Sequence, residues 1–317
     1  MESIDFGTED ISLIKKEMVM NMIVVRIYEG VGNQMFQYAY AYALSINKEY
    51  KDKIYLDVRD EAVGERDRKR FYRPLEINQF QISLPQASPD ILKKWDYIES
   101  RSLYNRAIYW LAERGIGRYK IYNEDNYNFD KQYLKPKDNS YIMGSFQHDE
   151  YFNMLRPGLV KEFTLKKKLI IPAELETIMN RHEVVSIHIR RGDYVNDRCV
   201  RKVMGICNEK YYNKAVEYIM EHVKNVYLFV FTDDEQWVKD NLDFKTPHII
   251  ISGHFGLSDV QELVMMSKCR HNIIANSTFS WWGAWLNDNE SKIVVAPGKW
   301  FRESGRKNIA VEQWVTL

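Results

Sequence analysis

Residues 184–194 read Val-Val-Ser-Ile-His-Ile-Arg-Arg-Gly-Asp-Tyr, an apolar strand that runs directly into two arginines. A run of this kind is typical of a strand that is buried on both faces of a parallel sheet. From there to the end of the chain, the patterns of strands and helices alternate strictly. The strands are predicted at 184–189, 226–231, 248–251, 271–275 and 293–296, and the helices at 173–181, 209–223, 234–241, 258–268 and 278–287. This order predicts a doubly wound parallel sheet of the Rossmann type.

The amino-terminal half of the chain begins with the same alternation. A strand, a tight turn, a helix and a second strand are predicted at 21–28, 30–33, 34–47 and 53–58. Further along, a helix is predicted at 90–114, a short strand at 141–146, and loops at 59–82 and 119–139. We therefore predict an α/β protein with two domains, residues 21–165 and 166–317, that face a cleft. Residues 1–20 are predicted to be an extension outside the fold, and the lysine-rich segment 165–171 is the predicted linker.

The composition excludes several classes of protein. The 317 residues carry a formal net charge of +1, so no overall field would recruit nucleic acid. The three cysteines have no paired spacing, which argues against a disulfide framework or a zinc site and is typical of reduced cytoplasmic thiols. No apolar run reaches the roughly 18 residues of a membrane helix, and the acidic first residues do not resemble a signal peptide. We expect a cytoplasmic protein. The basic stretch Arg66–Arg73 is interpreted as a solvated face, with peripheral contact to a membrane as the alternative.

The first polar cluster follows the first predicted strand and reads Glu29-Gly30-Val31-Gly32-Asn33-Gln34. Two glycines allow a ligand to approach the backbone, and the start of the following helix offers unpaired N–H groups. A dinucleotide fingerprint would require a third glycine where Met35 stands, which argues against a nicotinamide or flavin cofactor. The alternative interpretation is a tight turn in which Asn33 caps the helix.

The second cluster is the pair Arg190 and Arg191, which is followed by Gly192 and Asp193 and preceded by His188. Guanidinium groups match phosphate oxygens in bidentate geometry and stay charged at any working pH. Gly192 would let the turn fold back and bring Asp193 to the same place. The alternative is structural, with one arginine bonded to Asp193 and the other solvated.

The third and fourth clusters also follow predicted strands. Asp233 and Asp234 end one strand, and one of them is expected to cap the next helix. No Asp-x-Asp sequence occurs in the chain, so a diphosphate site built on a divalent metal has no obvious ligands. The segment 276–285 reads Asn-Ser-Thr-Phe-Ser-Trp-Trp-Gly-Ala-Trp, in which hydroxyl groups open a helix and could bind an anion without a metal. Capping by Ser277 and packing of the tryptophans in the core is the alternative.

Together these motifs resemble the α-1,2-fucosyltransferases of glycosyltransferase family 11. The motifs that carry the resemblance are the segments 32–39, 188–193, 231–234 and 276–285, with shorter matches at Gly144-Ser145-Phe146-Gln147 and Ala296-Pro297-x-x-Trp300-Phe301. The resemblance runs from about Met22 to Phe301. It implies a GT-B-like fold of two Rossmann-type domains, with the acceptor on the first and the donor on the second. It also implies metal-independent transfer of L-fucose from GDP-β-L-fucose, with inversion, to O2 of a terminal galactose in a glycan, with no cofactor besides that donor.

The resemblance assigns roles to particular residues. It implies that Arg190 and Arg191 hold the donor diphosphate, and Arg190 is also placed among the catalytic groups. The other residues expected to bind the donor are Gly32, Asn33, Gln34, His188, Asp233, Asn276, Ser277 and Thr278. The expected acceptor contacts are Trp281 and Trp282.

One departure from the family concerns the first turn. The family usually has Gly-Gly-Leu-Gly where this chain has Glu29-Gly30-Val31-Gly32, which adds a carboxylate near the expected acceptor hydroxyl. Either Glu29 or Asp193 is a hypothetical catalytic base, because inversion in one displacement requires a group within hydrogen-bond reach of the attacking oxygen. Two other functions are open at this point, namely transfer from another nucleotide sugar and carbohydrate binding without catalysis.

Overall fold

The computed structural model describes residues 21–59, 74–98, 102–124, 128–302 and 306–317. These residues form two compact units. Among the described residues, the first unit contains those up to Glu29 and those within Phe36–Leu75 and Ile82–Glu162, and the second contains those within Gly30–Met35, Glu76–Gln81 and Phe163–Leu317. The predicted extension at 1–20 and the basic stretch Arg66–Arg73 lie outside the described residues. Among the described helices, none is both long enough and apolar enough to cross a bilayer.

The first unit is built on a parallel sheet with the strand order β2-β1-β4-β3. Its strands are β1 (Ile23–Arg26), β2 (Ile54–Asp57), β3 (Lys120–Glu124) and β4 (Ser140–Gly144). Its helices are α1 (Val31–Ile46), whose first turn belongs to the second unit, α2 (Pro89–Leu92), α3 (Leu103–Glu113) and α4 (Arg156–Glu162). Short 3-10 turns in the same half of the chain cover Ile77–Gln79, Lys93–Ile98, Lys131–Leu134, Asp149–Tyr151 and Asn153–Leu155.

Two sequence predictions for this unit are wrong. The predicted helix at 90–114 is broken, because Trp95 takes a non-helical conformation and Ser102 starts a new helix by accepting a hydrogen bond from the Asn105 N–H at 3.1 Å. The predicted loop at 119–139 contains β3. This strand lies at the edge of the sheet and pairs only with β4 within the described residues, so only part of it is buried and its sequence is mostly polar.

The second unit is a six-stranded parallel sheet with the order β10-β9-β8-β5-β6-β7. Its strands are β5 (Glu183–Ile189), β6 (Val226–Thr232), β7 (His248–Ile250), β8 (His271–Ile273), β9 (Val294–Ala296) and β10 (Val315–Thr316). Its helices are α5 (Ala173–Arg181), α6 (Gly192–Asn196), α7 (Arg198–Val203), α8 (Glu209–His222), α9 (Glu235–Asn241), α10 (Asp259–Lys268) and α11 (Thr278–Leu286). The predicted doubly wound sheet is confirmed, and β10, α6 and α7 are additions that the sequence did not predict.

Strand β5 contributes side chains to the hydrophobic core on both faces of the sheet. Val185, Ile187 and Ile189 pack with α8 on one side, in a cluster that includes Tyr212 and Ile219. The alternate side belongs to a second cluster in which Val184 packs with side chains from α5 and α10. His188 shares the parity of Val184 and therefore points to this second face. The apolar run quoted above is explained by this double burial.

Candidate active site

The functional motifs of the second unit converge at the carboxyl ends of its central strands. Counted in chain order, the strands lie 3-2-1-4-5-6 across the sheet, and this order reverses between β5 and β8. In open α/β sheets, ligands bind outside the carboxyl ends of the strands at this reversal. The arginine pair follows β5, the aspartates follow β6, and the segment 276–278 follows β8. The chain therefore brings three of its four predicted clusters to the part of the fold where a ligand is expected.

Arg190 lies between two carboxylates. Its NH2 group donates to Oδ1 of Asp193 at 2.7 Å, and its NH1 group is 2.8 Å from Oδ2 of Asp233. Burial acts to lower the pKa of Arg190, but the negative charges of Asp233 and Asp193 outweigh it and raise that pKa. The side chain keeps 27% of its exposure, so the guanidinium is held in place and still reaches the surface. A guanidinium fixed in this way can bind an anionic group that reaches the surface beside it.

Arg191 is fixed by a different set of contacts. Its guanidinium carbon lies 3.9 Å from the centre of the Trp237 ring, and its Nε is 3.4 Å from Oδ2 of Asp234. Its backbone N–H donates to Oδ1 of Asp233 at 2.8 Å. The alternative interpretation of this motif, in which one arginine bonds Asp193 and the other is solvated, is therefore corrected. Arg190 does bond Asp193, but Arg191 is stacked on an indole and only 16% exposed.

The two neighbouring aspartates have separate functions in the structure. Asp234 caps α9, because its Oδ1 accepts a hydrogen bond from the Trp237 N–H at 3.0 Å, and this confirms the prediction that one of the pair is a cap. Asp233 instead bridges the two arginine residues. Gly192 leaves room for this carboxylate, since a Cβ at that position would lie 2.5 Å from Oδ2 of Asp233 and the side chain would have to shift. The sequence predicts that this glycine allows a tight turn, and in the structure the missing side chain leaves space for the Asp233 carboxylate.

His188 is a buried, neutral imidazole beneath the arginine turn. It is 5% exposed, its ring centre lies 5.4 Å from that of Phe279, and its Nδ1 has no hydrogen-bond partner among the described residues. Burial, and secondarily the charge of Arg190, lowers its pKa from 6.5 to about 3. Because the imidazole stays neutral at physiological pH, its unpaired Nδ1 offers a hydrogen-bond donor or acceptor and no positive charge.

Acid should destabilise the fold through His188. The unfolded chain takes up a proton near pH 6.5 and the folded protein only near pH 3, so the contribution is complete above pH 6.5 and is lost as the pH falls towards 3. At pH 5 the loss is about 2 kcal/mol of unfolding free energy. Urea unfolding of the wild type and of His188→Gln, at pH 7.5 and pH 5, measures it. Between pH 7.5 and pH 5, we expect the unfolding free energy of the wild type to fall by about 2 kcal/mol more than that of the variant. Equal losses would show that His188 does not have a lowered pKa in the folded protein.

The start of α11 packs against the start of α1 within the second unit. A Cβ on Gly32 would lie 2.6 Å from the backbone N of Phe279 and 2.6 Å from the Thr278 backbone carbon. The Gly32 carbonyl oxygen accepts a hydrogen bond from Nε1 of Trp282 at 3.0 Å. Gly32 is therefore required by the close approach of two helix starts. The sequence alone had suggested that this glycine makes room for a ligand.

Replacing Gly32 tests this contact. Gly32→Ala places a methyl group against backbone atoms that cannot rotate away, so we expect a loss of about 1–3 kcal/mol in unfolding free energy. Gly30→Ala is the matched control, because a Cβ at Gly30 meets nothing within 4 Å. Urea unfolding of both variants measures the difference. Equal stability of the two variants would show that the helix starts are farther apart than described.

The other residues predicted to bind the sugar donor differ in whether their side chains already make hydrogen bonds within the protein. Ser277 precedes α11 but, within the described residues, its side chain accepts no hydrogen bond from the helix, so the capping alternative for Ser277 is not what the structure has. The Asn276 amide donates to the carbonyls of Gly205 at 2.7 Å and Trp300 at 3.0 Å. Oε1 of Gln34 accepts the backbone N–H groups of residues 76 and 77, each at 2.9 Å. The last two side chains therefore hold loops of the unit together.

The remaining predicted residues are placed as follows. Trp281 and Trp282 are both fully buried, and Nε1 of Trp281 donates to the Ile309 carbonyl at 2.8 Å. These two indoles therefore lie in the core and present no ring face to an acceptor. Helix α1 begins at Val31, so Asn33 lies inside its first turn instead of capping it.

Glu29 departs from ordinary backbone geometry. It is exposed and has φ +68°, in the left-handed region that glycine adopts without strain. This is the position at which the resembled family usually carries glycine. A carboxylate retained in a strained conformation is an observation that favours a function for its side chain.

Comparison with known proteins decides the family. The sequence model of Glycosyl transferase family 11 matches residues 97–317, more than two thirds of the chain. The chain belongs to glycosyltransferase family 11. The O-antigen biosynthesis glycosyltransferase WbnK of Escherichia coli is 29% identical over 301 residues, which cover 91% of this chain and 98% of that protein. An alpha-1,2-colitosyltransferase of Escherichia coli is 30% identical over 311 residues, which cover 94% and 99%. The galactoside 2-alpha-L-fucosyltransferase Sec1 of Mus musculus is 26% identical over 153 residues, which cover 44% and 40%.

Membership in glycosyltransferase family 11 confirms the resemblance and makes this chain a glycosyltransferase. Two α/β units with parallel sheets are what the expected GT-B-like fold requires. The sequence missed two residues of the site. Trp237 follows the cap Asp234 by three residues and supports Arg191, and the Tyr194 hydroxyl donates to the Asn276 carbonyl at 2.9 Å, which ties the loop after β5 to the loop after β8. No local sequence signal connects Trp237 with Arg191, because the two residues follow different strands.

Proposed function

We propose that this family 11 glycosyltransferase transfers L-fucose from GDP-β-L-fucose to O2 of a terminal galactose in a glycan. The transfer forms an α-1,2 linkage with inversion and uses no metal ion. The names of two relatives, an alpha-1,2-colitosyltransferase and a galactoside 2-alpha-L-fucosyltransferase, support the linkage. The acceptor-binding surface belongs, on this proposal, to the first unit and the donor-binding surface to the second.

The observation that carries the proposal is the arginine pair at the sheet reversal of the second unit. Arg190 and Arg191 are held in position by carboxylates and by an indole. A diphosphate would compete with Asp193 and Asp233 for the guanidinium of Arg190. Their charge can take the place of a divalent cation, and the chain has no Asp-x-Asp sequence to bind one. The start of α11 adds N–H groups on the same edge of the sheet.

The proposed reaction is a single displacement. The acceptor O2 attacks C1 of fucose from the face opposite the diphosphate, and the C1–O bond to the β-phosphate breaks with its electron pair going to that oxygen. GDP leaves, and the anomeric centre is inverted from β to α. The proton of the acceptor hydroxyl passes to a base, for which Asp193 and Glu29 are the candidates. Arg190 and Arg191 stabilise the charge that develops on the leaving diphosphate.

A second donor has specific support. The alpha-1,2-colitosyltransferase of Escherichia coli is 30% identical to this chain over 94% of the chain's length. Colitose is L-fucose without the 3-hydroxyl group, so the two donors differ by a single hydrogen-bonding group. A site that bonds this hydroxyl would reject the deoxy sugar strongly, whereas a site that leaves it in solvent would accept both.

A competition experiment tests the donor class. Binding of GDP, UDP and ADP is measured by calorimetry in EDTA, and GDP-fucose, GDP-colitose and GDP-mannose are then compared as donors at equal concentration. We expect GDP to bind more tightly than UDP or ADP, and GDP-fucose to give the highest kcat/KM. A higher kcat/KM with GDP-colitose would show that the donor is GDP-colitose, and the proposed diphosphate site would still stand. Absence of GDP binding would overturn the assignment of the arginine pair.

A further inference from the structure

Helix α3 of the first unit exposes an apolar face that the transfer reaction does not use. Leu103 is 81% exposed, Tyr104 76%, Trp110 49% and Leu111 38%. Ile116, just beyond the helix, is 53% exposed. Among the described residues, five of the eleven large apolar side chains with high exposure lie within this one short segment. Scattered exposed apolar residues are ordinary, but a contiguous group marks a surface that binds something.

The exposed side chains share one side of the helix. Residues 103, 107, 110 and 114 repeat at helical spacing, and residues 104 and 111 lie beside them on the same face. The opposite side packs against β3 and the turn at Lys93–Ile98 and buries Ala112 to 2% exposure. The helix therefore has two apolar faces, and only one of them is explained by the core of the unit.

Basic side chains surround this exposed face. Arg114 lies on it, with its guanidinium carbon 3.8 Å from the centre of the Trp110 ring. Arg106 is exposed one turn after Leu103, and the exposed Arg118 follows the helix. Residues 103–118 contain three basic side chains and one carboxylate, Glu113, although the whole chain has a formal net charge of only +1. The positive charge is concentrated where the apolar side chains are.

We propose that the exposed face of α3 docks on the surface of an anionic lipid bilayer. Apolar and aromatic side chains beside arginines are the combination that inserts into the headgroup region while the charges bind anionic lipids. Tyrosine and tryptophan favour this boundary, because one end of each ring system is polar. A second copy of the chain fits less well, since a two-fold contact through this face would bring the same arginines together.

Vesicle binding tests the proposal. Full-length protein is mixed with vesicles of phosphatidylcholine alone or of phosphatidylcholine with 30% phosphatidylglycerol, and the bound fraction is measured by flotation. We expect binding to the anionic vesicles, weak binding to the neutral ones, and release as salt is raised. The variants Leu103→Ser/Trp110→Ser and Arg106→Gln/Arg114→Gln should each reduce partitioning by at least about tenfold.

Matched controls separate this face from general surface hydrophobicity. Met154→Ser/Ile170→Ser removes two apolar side chains that are 88% and 79% exposed elsewhere, and it should bind like the wild type. Circular dichroism checks that each variant folds. Absence of binding to anionic vesicles, or equal loss in the control variant, would overturn the proposal. It would also be overturned if light scattering showed a dimer that Leu103→Ser/Trp110→Ser dissociates, because the face would then be an interface between copies.

Discussion

Arg190→Ala is expected to lower kcat by about 10³-fold, which makes it one of the two most damaging substitutions in this protein. On the proposed function, the variant loses a cation that binds the donor diphosphate, and it leaves Asp193 and Asp233 without the positive charge between them. Both consequences act against an anionic leaving group. Steady-state kinetics with GDP-fucose and lactose, combined with calorimetry for GDP, measures the loss in turnover and in binding.

Two further variants show whether the loss comes from the charge or the geometry of Arg190. Arg190→Lys keeps the charge but loses the planar fork, so we expect partial recovery of GDP binding and only slight recovery of kcat. Arg181→Ala, at an exposed position at the end of α5, removes an arginine remote from the strand ends and should behave like the wild type. A kcat for Arg190→Ala within threefold of the wild type, with unchanged GDP affinity, would show that the diphosphate binds elsewhere.

Removal of the catalytic base is expected to lower kcat by about 10²–10⁴-fold while leaving GDP affinity unchanged. Asp193→Asn and Glu29→Gln test the two candidates separately. Asp193 also bonds Arg190, so its replacement should raise the dissociation constant of GDP even if it is not the base. For Glu29→Gln, a fall in kcat without a change in GDP affinity identifies the base. For Asp193→Asn, a fall in kcat much larger than the change in GDP affinity identifies the base, whereas a parallel change in both identifies a positioning residue. If both variants retained normal kcat, a carboxylate base would be excluded.

Glu29→Gly distinguishes chemistry from backbone strain at the same position. Glycine adopts the φ of +68° without strain, so the variant should gain about 1 kcal/mol in unfolding free energy. If Glu29 is the base, the same variant gains stability and loses turnover. A gain in stability with normal kcat would show that Glu29 does not take the proton and would leave its strained conformation without a catalytic explanation.

Much of the second unit could be predicted because its sequence signals are local. The buried strand β5 has no polar residue except Ser186 and His188 between Val184 and Ile189, and a short apolar run rich in β-branched residues favours a buried strand. The polar residues that follow each strand are brought together by a general rule of parallel sheets. A cap by one of the two neighbouring aspartates was recognisable from their position before α9, and the structure assigns it to Asp234.

The features that the sequence could not show depend on contacts between distant parts of the chain. The close packing of Gly32 on Thr278 and Phe279, far along the chain, could not be predicted from its residue type. Trp281 and Trp282 could have been a sugar platform or core until their burial was known. Strand β3 was missed because it is a polar edge strand, whose pairing with β4 overrides its weak local preference.

The most direct test of the account is GDP release from GDP-β-L-fucose with lactose or N-acetyllactosamine as the acceptor, in the presence of EDTA, with the product analysed by NMR. The account predicts turnover that depends on the acceptor, and a product in which α-L-fucose is linked to O2 of galactose. Turnover only after addition of a divalent cation, or a β-linked product, would contradict the proposed metal-free inverting displacement. Absence of transfer from GDP-fucose to either acceptor, with efficient transfer from another nucleotide sugar, would contradict the proposed donor.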